Sequence, residues 1–403
     1  MATSWNRFIR YKRLFTLLLL AGLLLCLVLL IRSIEIFKIN DFIEYWSAIR
    51  SILHGGNAYN PTELLLIQKQ VGYTNSQPLM MYNPPWTLTL LLFLGLFDPP
   101  SGQLVWLILN ITLIFFCVIK LWKIYAGQST QYLLPLLYAF SFVSTILALV
   151  LGQITPFILF GLVYFVMIIS NPKYDILAGF CLILISIKPQ LTIIFWFALL
   201  LWIINQRRWL ILVSFVVLLI ILSGIISLFN PQIIPQYIEM LQSHQIGVWE
   251  NPTIGSYLRF FSLMNETFWV HFVPTVIGGI WFVYYWSKKY KNWKWADEIP
   301  ILLLVSMVVT PFAWTYDYVI LLPVIILAVS WLINDFNLRS IRIYTILFLM
   351  VNFFILILHT RVSDIWFFWM APLMLLMYLI FSNYHIKIKK SQTNCVLDNQ
   401  LNI

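Results

Sequence analysis

Apolar runs separated by short polar breaks follow one another along this chain from residue 14 to residue 381. A hydrocarbon core of roughly 30 Å takes about 20 helical residues to cross. Read between the breaks, the runs place candidate spans at 14–31, 103–120, 132–150, 154–169, 176–187, 191–205, 210–229, 268–286, 299–314, 318–333, 343–358 and 366–382. One further run, 86–97, lies between Pro84-Pro85 and Asp98-Pro99-Pro100. With about 12 residues it would rise only about 18 Å, which predicts a short or re-entrant helix. Inside lipid every backbone polar group needs an internal partner. The pattern therefore predicts an all-α, polytopic integral membrane protein with about 12 transmembrane helices.

Composition agrees with the pattern. Of 403 residues 61% are hydrophobic and 10% charged, too little charge to cover a water-soluble surface. This leaves no room for a soluble catalytic domain. Residues 1–386 read as one membrane-embedded unit with external loops 32–83 and 230–266, followed by a cytoplasmic tail, 387–403. The run 14–31 follows Arg7, Arg10, Lys12 and Arg13 like a signal peptide but has no small-x-small cleavage site, and reads as a retained anchor.

The net charge of +10 does not indicate nucleic acid, because the basic residues sit in short clusters between apolar runs. They set orientation instead. With both termini cytoplasmic, 18 of the 25 Lys and Arg residues face the cytoplasm, provided that 86–97 does not fully cross. Ten of the 15 acids then lie outside, Glu35, Asp41, Glu44, Asp317 and Asp364 among them, so chemistry is expected at the external face of a cell membrane. Cys26, Cys117 and Cys181 fall in apolar runs and Cys395 in the tail, without zinc-ligand spacing.

Several polar residues have both a structural and a chemical reading. Asp41 and Glu44, at i and i+3, read as a reciprocal helix cap ahead of Phe42–Leu53. With Phe42, Tyr45, Trp46, Ile49 and Leu53 apolar, that helix would lie flat at the membrane interface. A carboxylate held there could equally serve as base for a hydroxyl. His54-Gly55-Gly56-Asn57 ends the helix, and Tyr82-Asn83-Pro84-Pro85 forces an extended approach to the next one. Lys188-Pro189 puts a cation at the external side, either snorkelling to headgroups or holding a phosphate. Arg259 offers a planar fork for the same ligand. Asp317, near Trp314 and Tyr316, either caps a helix or faces a polar cavity. Gly152-Gln153 reads as a helix break with a hydrogen-bonding side chain.

In this order the segments resemble glycosyltransferase family 87, the polyprenol-phosphate mannosyltransferases and their relatives, which have a C-type membrane fold. The residues that carry the resemblance are Asp41 with Tyr45, the stretch His54-Gly55-Gly56-Asn57-Ala58-Tyr59, Tyr82 with Pro84-Pro85, Gly152-Gln153, Ala178-Gly179 with Lys188-Pro189, and Pro311 with Trp314. The resemblance implies an inverting transfer of a hexose, mannose by default, from a polyprenyl-phosphate donor to a lipid or glycan hydroxyl on the non-cytoplasmic side. It implies Asp41 as the base and Lys188 and Arg259 as binders of the donor phosphate. Glu44, Tyr45, His54, Tyr82, Gln153, Trp314, Tyr316 and Asp317 would line the substrate pocket. The chain departs from the pattern twice. Thr155 stands where the family usually has Asn, and Tyr316-Asp317 where it often has His-His. Asp317 cannot stand in for a cation.

No Asp-x-Asp motif is present, and a donor with a single phosphate has less need of a metal, so activity is expected without metal or cofactor. Membrane lipids are the other expected partners, and nucleic acid is not one. The rival readings are a multi-span secondary transporter, whose acids would sit near the bilayer midplane, and a catalytically inactive lipid-binding relative.

Overall fold

Proline, asparagine and aspartate cut the apolar chain into helices. Asn60 accepts the Thr62 and Glu63 N–H groups and Pro61 opens the helix behind it. Asp98, ahead of Pro99, accepts the Ser101 N–H, and Asn337, ahead of Leu338, the Ser340 N–H. The computed structural model describes residues 40–127, 131–243, 250–261 and 268–401, with side chains to 389. All regular structure among them is helical. In chain order the α-helices begin with α1 (Phe42–Leu53), α2 (Pro61–Gln70), α3 (Pro85–Leu91), α4 (Pro99–Ala126), α5 (Leu133–Ser141) and α6 (Val143–Val150). They continue with α7 (Thr155–Ile168), α8 (Asp175–Ile185), α9 (Ile193–Gln206), α10 (Trp209–Phe229), α11 (Ile233–Ser243) and α12 (Ile254–Phe261). The last are α13 (Val273–Lys289), α14 (Trp295–Val309), α15 (Leu322–Asp335), α16 (Leu338–His359) and α17 (Met370–Leu401).

The described residues give fewer spans than twelve. Seven helical stretches are long and apolar enough to cross a membrane: Pro99–Ala126, Pro189–Gln206, Trp209–Phe229, Phe268–Asn292, Thr315–Asp335, Leu338–His359 and Asp364–Lys389. α5 and α6 make an eighth if taken as one span bent by 64°. The bend falls at Phe142, whose extended backbone leaves the Val143 N–H to Asn352 on α16, at 2.8 Å. α7, α8 and α14 have 14, 11 and 15 residues. At 1.5 Å per residue they rise about 17 to 23 Å, short of the hydrocarbon thickness. The run at 86–97 is indeed short, α3 followed by a 3₁₀ turn, Leu92–Leu96. The expected span 14–31 lies outside the described residues, and α17 runs through 387 without a break.

α1 differs from the flat interfacial helix that its pattern predicts. Nine of its twelve residues are buried, Ser47 and Ser51 included, because α2, α3 and α4 pack around it. Only Leu53, at its end, is exposed among its apolar residues. Helix crossings elsewhere are close. A Cβ on Gly179 of α8 would lie 1.9 Å from Ser214 Oγ and 2.6 Å from the Ile211 carbonyl of α10, so only glycine fits where these helices meet.

Candidate active site

Asp41 stands at the N-cap of α1, yet its side chain makes no capping bond. Asn40 does that work. Its Oδ1 accepts the Phe42 N–H at 3.1 Å and its Nδ2 donates to the Val150 carbonyl at 2.9 Å. The Asp41 carboxylate is thereby released toward Gln153, whose Nε2 donates to Asp41 Oδ2. The reciprocal cap expected of Asp41 and Glu44 is not formed by Asp41.

Gln153 is held by the turn between α6 and α7. Gly152 has φ +69°, and a Cβ there would meet Phe42 at 3.0 Å, so the turn needs glycine for its conformation and for its contact with α1. Trp106 Nε1 donates to the Gly152 carbonyl at 2.7 Å and Asn110 to the Gln153 carbonyl at 3.3 Å. Gln153 itself is 2% exposed. Its Oε1 accepts from Lys188 Nζ at 3.2 Å and faces the Tyr45 hydroxyl at 3.5 Å, so one amide joins the acid to the cation.

Lys188 follows the end of α8 with φ −133° and ψ 76°, outside the helical region that a following proline disfavours. The Tyr82-Asn83-Pro84-Pro85 stretch braces it from behind. Asn83 donates to the Ile187 carbonyl at 3.4 Å, Trp86 Nε1 to Ser186 at 3.1 Å, and Tyr59 to the Asn83 carbonyl at 2.9 Å. Lys188 Nζ pairs with Asp317 Oδ1 at 2.9 Å and lies 5.2 Å from the centre of the Tyr316 ring. Asp317 also accepts from Thr155 Oγ1 at 2.7 Å and from the Trp314 N–H at 3.0 Å. It therefore both caps and faces the polar group. Trp314 and Tyr316, each partly exposed, stack at 6.3 Å and form an aromatic shelf beside the lysine.

The electrostatics follow from this enclosure. Asp41 and Glu44 are partly exposed but have protein on most sides. Burial raises the Asp41 pKa to about 6, against the downward pull of Lys188 and of the Gln153 hydrogen bond. Glu44, one turn along α1, is pushed well above the ordinary carboxylate value by burial and then by Asp41. Burial, with Glu44 nearby, lifts Tyr82 to about 12. Lys188 is the one cation acting on Asp41 and Glu44 among the described residues. Such a group can take a proton at Asp41 and meet an anion at Lys188. Among the described residues no three His, Cys, Asp or Glu side chains are grouped to hold a metal ion.

The structure thus brings together Asp41, Glu44, Tyr45, Tyr82, Gln153, Lys188, Trp314, Tyr316 and Asp317. It does not bring His54 to them. His54 caps the opposite end of α1, about 20 Å along the helix, with Nδ1 at 2.7 Å from the Arg50 carbonyl. Arg259 Nη1 lies 3.1 Å from the buried His271 Nε2. Sequence reasoning passed over Asn40 and Thr155 as site residues. An asparagine directly before the acid was the signal for the first, and the departure at 155 for the second.

Fold and site together define an all-helical, multi-span membrane protein whose helix breaks converge on a buried amide between a partly buried acid and a partly buried lysine. The model of glycosyltransferase family 87 matches residues 81–311, more than half of the chain, and the chain belongs to that family. No curated protein and no solved structure matches it. The matched stretch contains Tyr82, Gln153, Lys188 and Arg259, and Asp41 and Asp317 lie outside it. As a member of the family the protein is a glycosyltransferase, with a sugar donor and an acceptor as partners.

Proposed function

We propose that this chain is an inverting hexosyltransferase, with mannose as the default sugar, that uses a polyprenyl-phosphate donor and a lipid or glycan hydroxyl acceptor. It would work at the non-cytoplasmic face of a cell membrane, with both termini in the cytoplasm. The reading rests on one observation above all: Asp41 is relieved of helix capping by Asn40 and turned to Gln153, with Lys188 behind the same amide.

In the proposed reaction Asp41 takes the proton of the acceptor hydroxyl. The hydroxyl oxygen bonds to the anomeric carbon from the face opposite the phosphate. The bond from that carbon to the phosphate oxygen breaks, and its electron pair leaves with polyprenyl phosphate. Lys188 meets the charge that grows on this oxygen, and the Trp314–Tyr316 shelf offers a stacking face for sugar or isoprene. Asp41 then returns its proton to water. Arg259, at His271, enters as a phosphate ligand only if the donor reaches α12.

The test is transfer from labelled polyprenyl-phosphate hexoses by the purified chain. Asp41→Asn is expected to abolish transfer and Glu44→Gln to retain it. Transfer that survives in Asp41→Asn would overturn the assignment.

A further inference from the structure

The ammonium assigned to the donor phosphate is already engaged. Lys188 Nζ has three hydrogens. Asp317 Oδ1 takes one at 2.9 Å and Gln153 Oε1 another at 3.2 Å. An incoming phosphate must share Lys188 with a carboxylate that is 1% exposed. A buried carboxylate stripped of its partners is costly, so what remains around Asp317 once the lysine turns away decides whether exchange is possible.

Much remains. Thr155 Oγ1 at 2.7 Å and the Trp314 N–H at 3.0 Å donate to Asp317 independently of Lys188. The other buried ion pair is built differently: the Asp175 side chain accepts hydrogen bonds from Arg208 alone among the described residues, so that pair cannot part cheaply. Thr155 and Asp317, 162 residues apart in sequence, bond directly to each other. We infer that Asp317, braced by Thr155, is a displaceable counter-ion, which holds Lys188 in the unloaded site, yields it to the donor phosphate and reclaims it as the prenyl phosphate leaves.

This inference rests on the function proposed above. Charge gives the exchange its direction. The proposed donor, a phosphodiester of prenol and sugar, carries one negative charge, and the prenyl phosphate released, a monoester, carries up to two at neutral pH. The pull on Lys188 thus grows as the glycosidic bond breaks, and interactions that strengthen in the transition state are those that raise turnover. A lysine without a counter-ion would go on holding the product. Asp317 is on this account a positioning residue that sets phosphate affinity and release.

The test is equilibrium binding of farnesyl phosphate, with farnesol as the uncharged control, to the full chain in lipid nanodiscs. Asp317→Asn is expected to bind farnesyl phosphate about tenfold more tightly than the wild type, as removal of one competing charge allows, and to show matching inhibition of transfer by this product. Thr155→Val is expected to shift the other way, to several-fold weaker binding, because Asp317 then depends more on Lys188. Farnesol binding should not change. If the wild type and Lys188→Met both fail to prefer the phosphate over the alcohol, the donor-phosphate reading itself fails. If the preference exists and depends on Lys188, but Asp317→Asn binds no more tightly, the counter-ion inference alone fails. Should Asp317→Asn not fold, Thr155→Val decides, and wild-type or tighter binding there overturns the inference.

Discussion

Asp41 is the residue whose surroundings make the sharpest prediction. A base must be ionised to accept a proton, and burial holds this carboxyl at about 6 where an exposed aspartate stands at 3.8. Activity, measured as kcat/KM against pH, should rise with pH through a limb centred near 6 and be lost below it, since the protonated acid has no base to offer. A limb at or below pH 4 would mean that Asp41 is open to water or is not the base. That Asp41, Gln153, Lys188 and Asp317 belong together was legible only through the family resemblance, which assigns all four to one site. Their pairing was not. Spacing gave Asp41 a capping role equal in merit to a chemical one, and nothing in the sequence said that Asn40 would take it over. His54 was misleading for a geometric reason: the stretch that carries the resemblance there is the turn ending α1, and twelve residues of helix separate it from Asp41.

At the scale of elements, the site is made by breaks rather than by spans. Asp41 begins α1, Gln153 lies between α6 and α7, Lys188 between α8 and α9, and Asp317 between α14 and α15. These breaks were readable from Gly152, Pro189 and Pro311. The number of full crossings was not, because hydropathy alone cannot tell a short buried helix such as α8 from a span. Nor can it tell that α1 is covered on its polar side. α8 places Lys188 only if it keeps its contact with α10. Gly179→Ala, pressed against the Ile211 carbonyl and Phe215 nitrogen, should destabilise the protein by about 1–3 kcal/mol, the usual range for overpacking. Thermal unfolding in detergent would show it as a lowered Tm. Gly224→Ala is the control: it lies in the same α10, and its Cβ would enter open space, so it should do no harm. Equal Tm values for the two variants would contradict the close crossing.

At the scale of the whole molecule, the two ends of the helices carry different charge. At one end Asp41, Glu44 and Asp317 share Lys188, and α2 carries the exposed Lys69 next to Gln68, which donates to Ser47 of α1 at 3.0 Å. From there α14 runs back over 15 residues to Trp295, about 22 Å away, beside the exposed Lys291. Around that far end the basic residues cluster, Lys288, Lys289, Lys291 and Lys294 close in sequence, and the buried Glu298 pairs with Lys289 at 3.8 Å. A retained excess of Lys and Arg marks the cytoplasmic side, so the far end should face inward and the acid-rich end outward. Single cysteines at these two positions, in a chain whose native cysteines have been replaced, test this directly. In intact cells a membrane-impermeant maleimide should label Lys69→Cys, and Lys291→Cys only after permeabilisation. The opposite labelling would turn Asp41 toward the cytoplasm, where nucleotide sugars rather than prenyl-linked ones are at hand, and the donor proposed here would have to be given up while the grouping of Asp41, Gln153 and Lys188 stood unchanged.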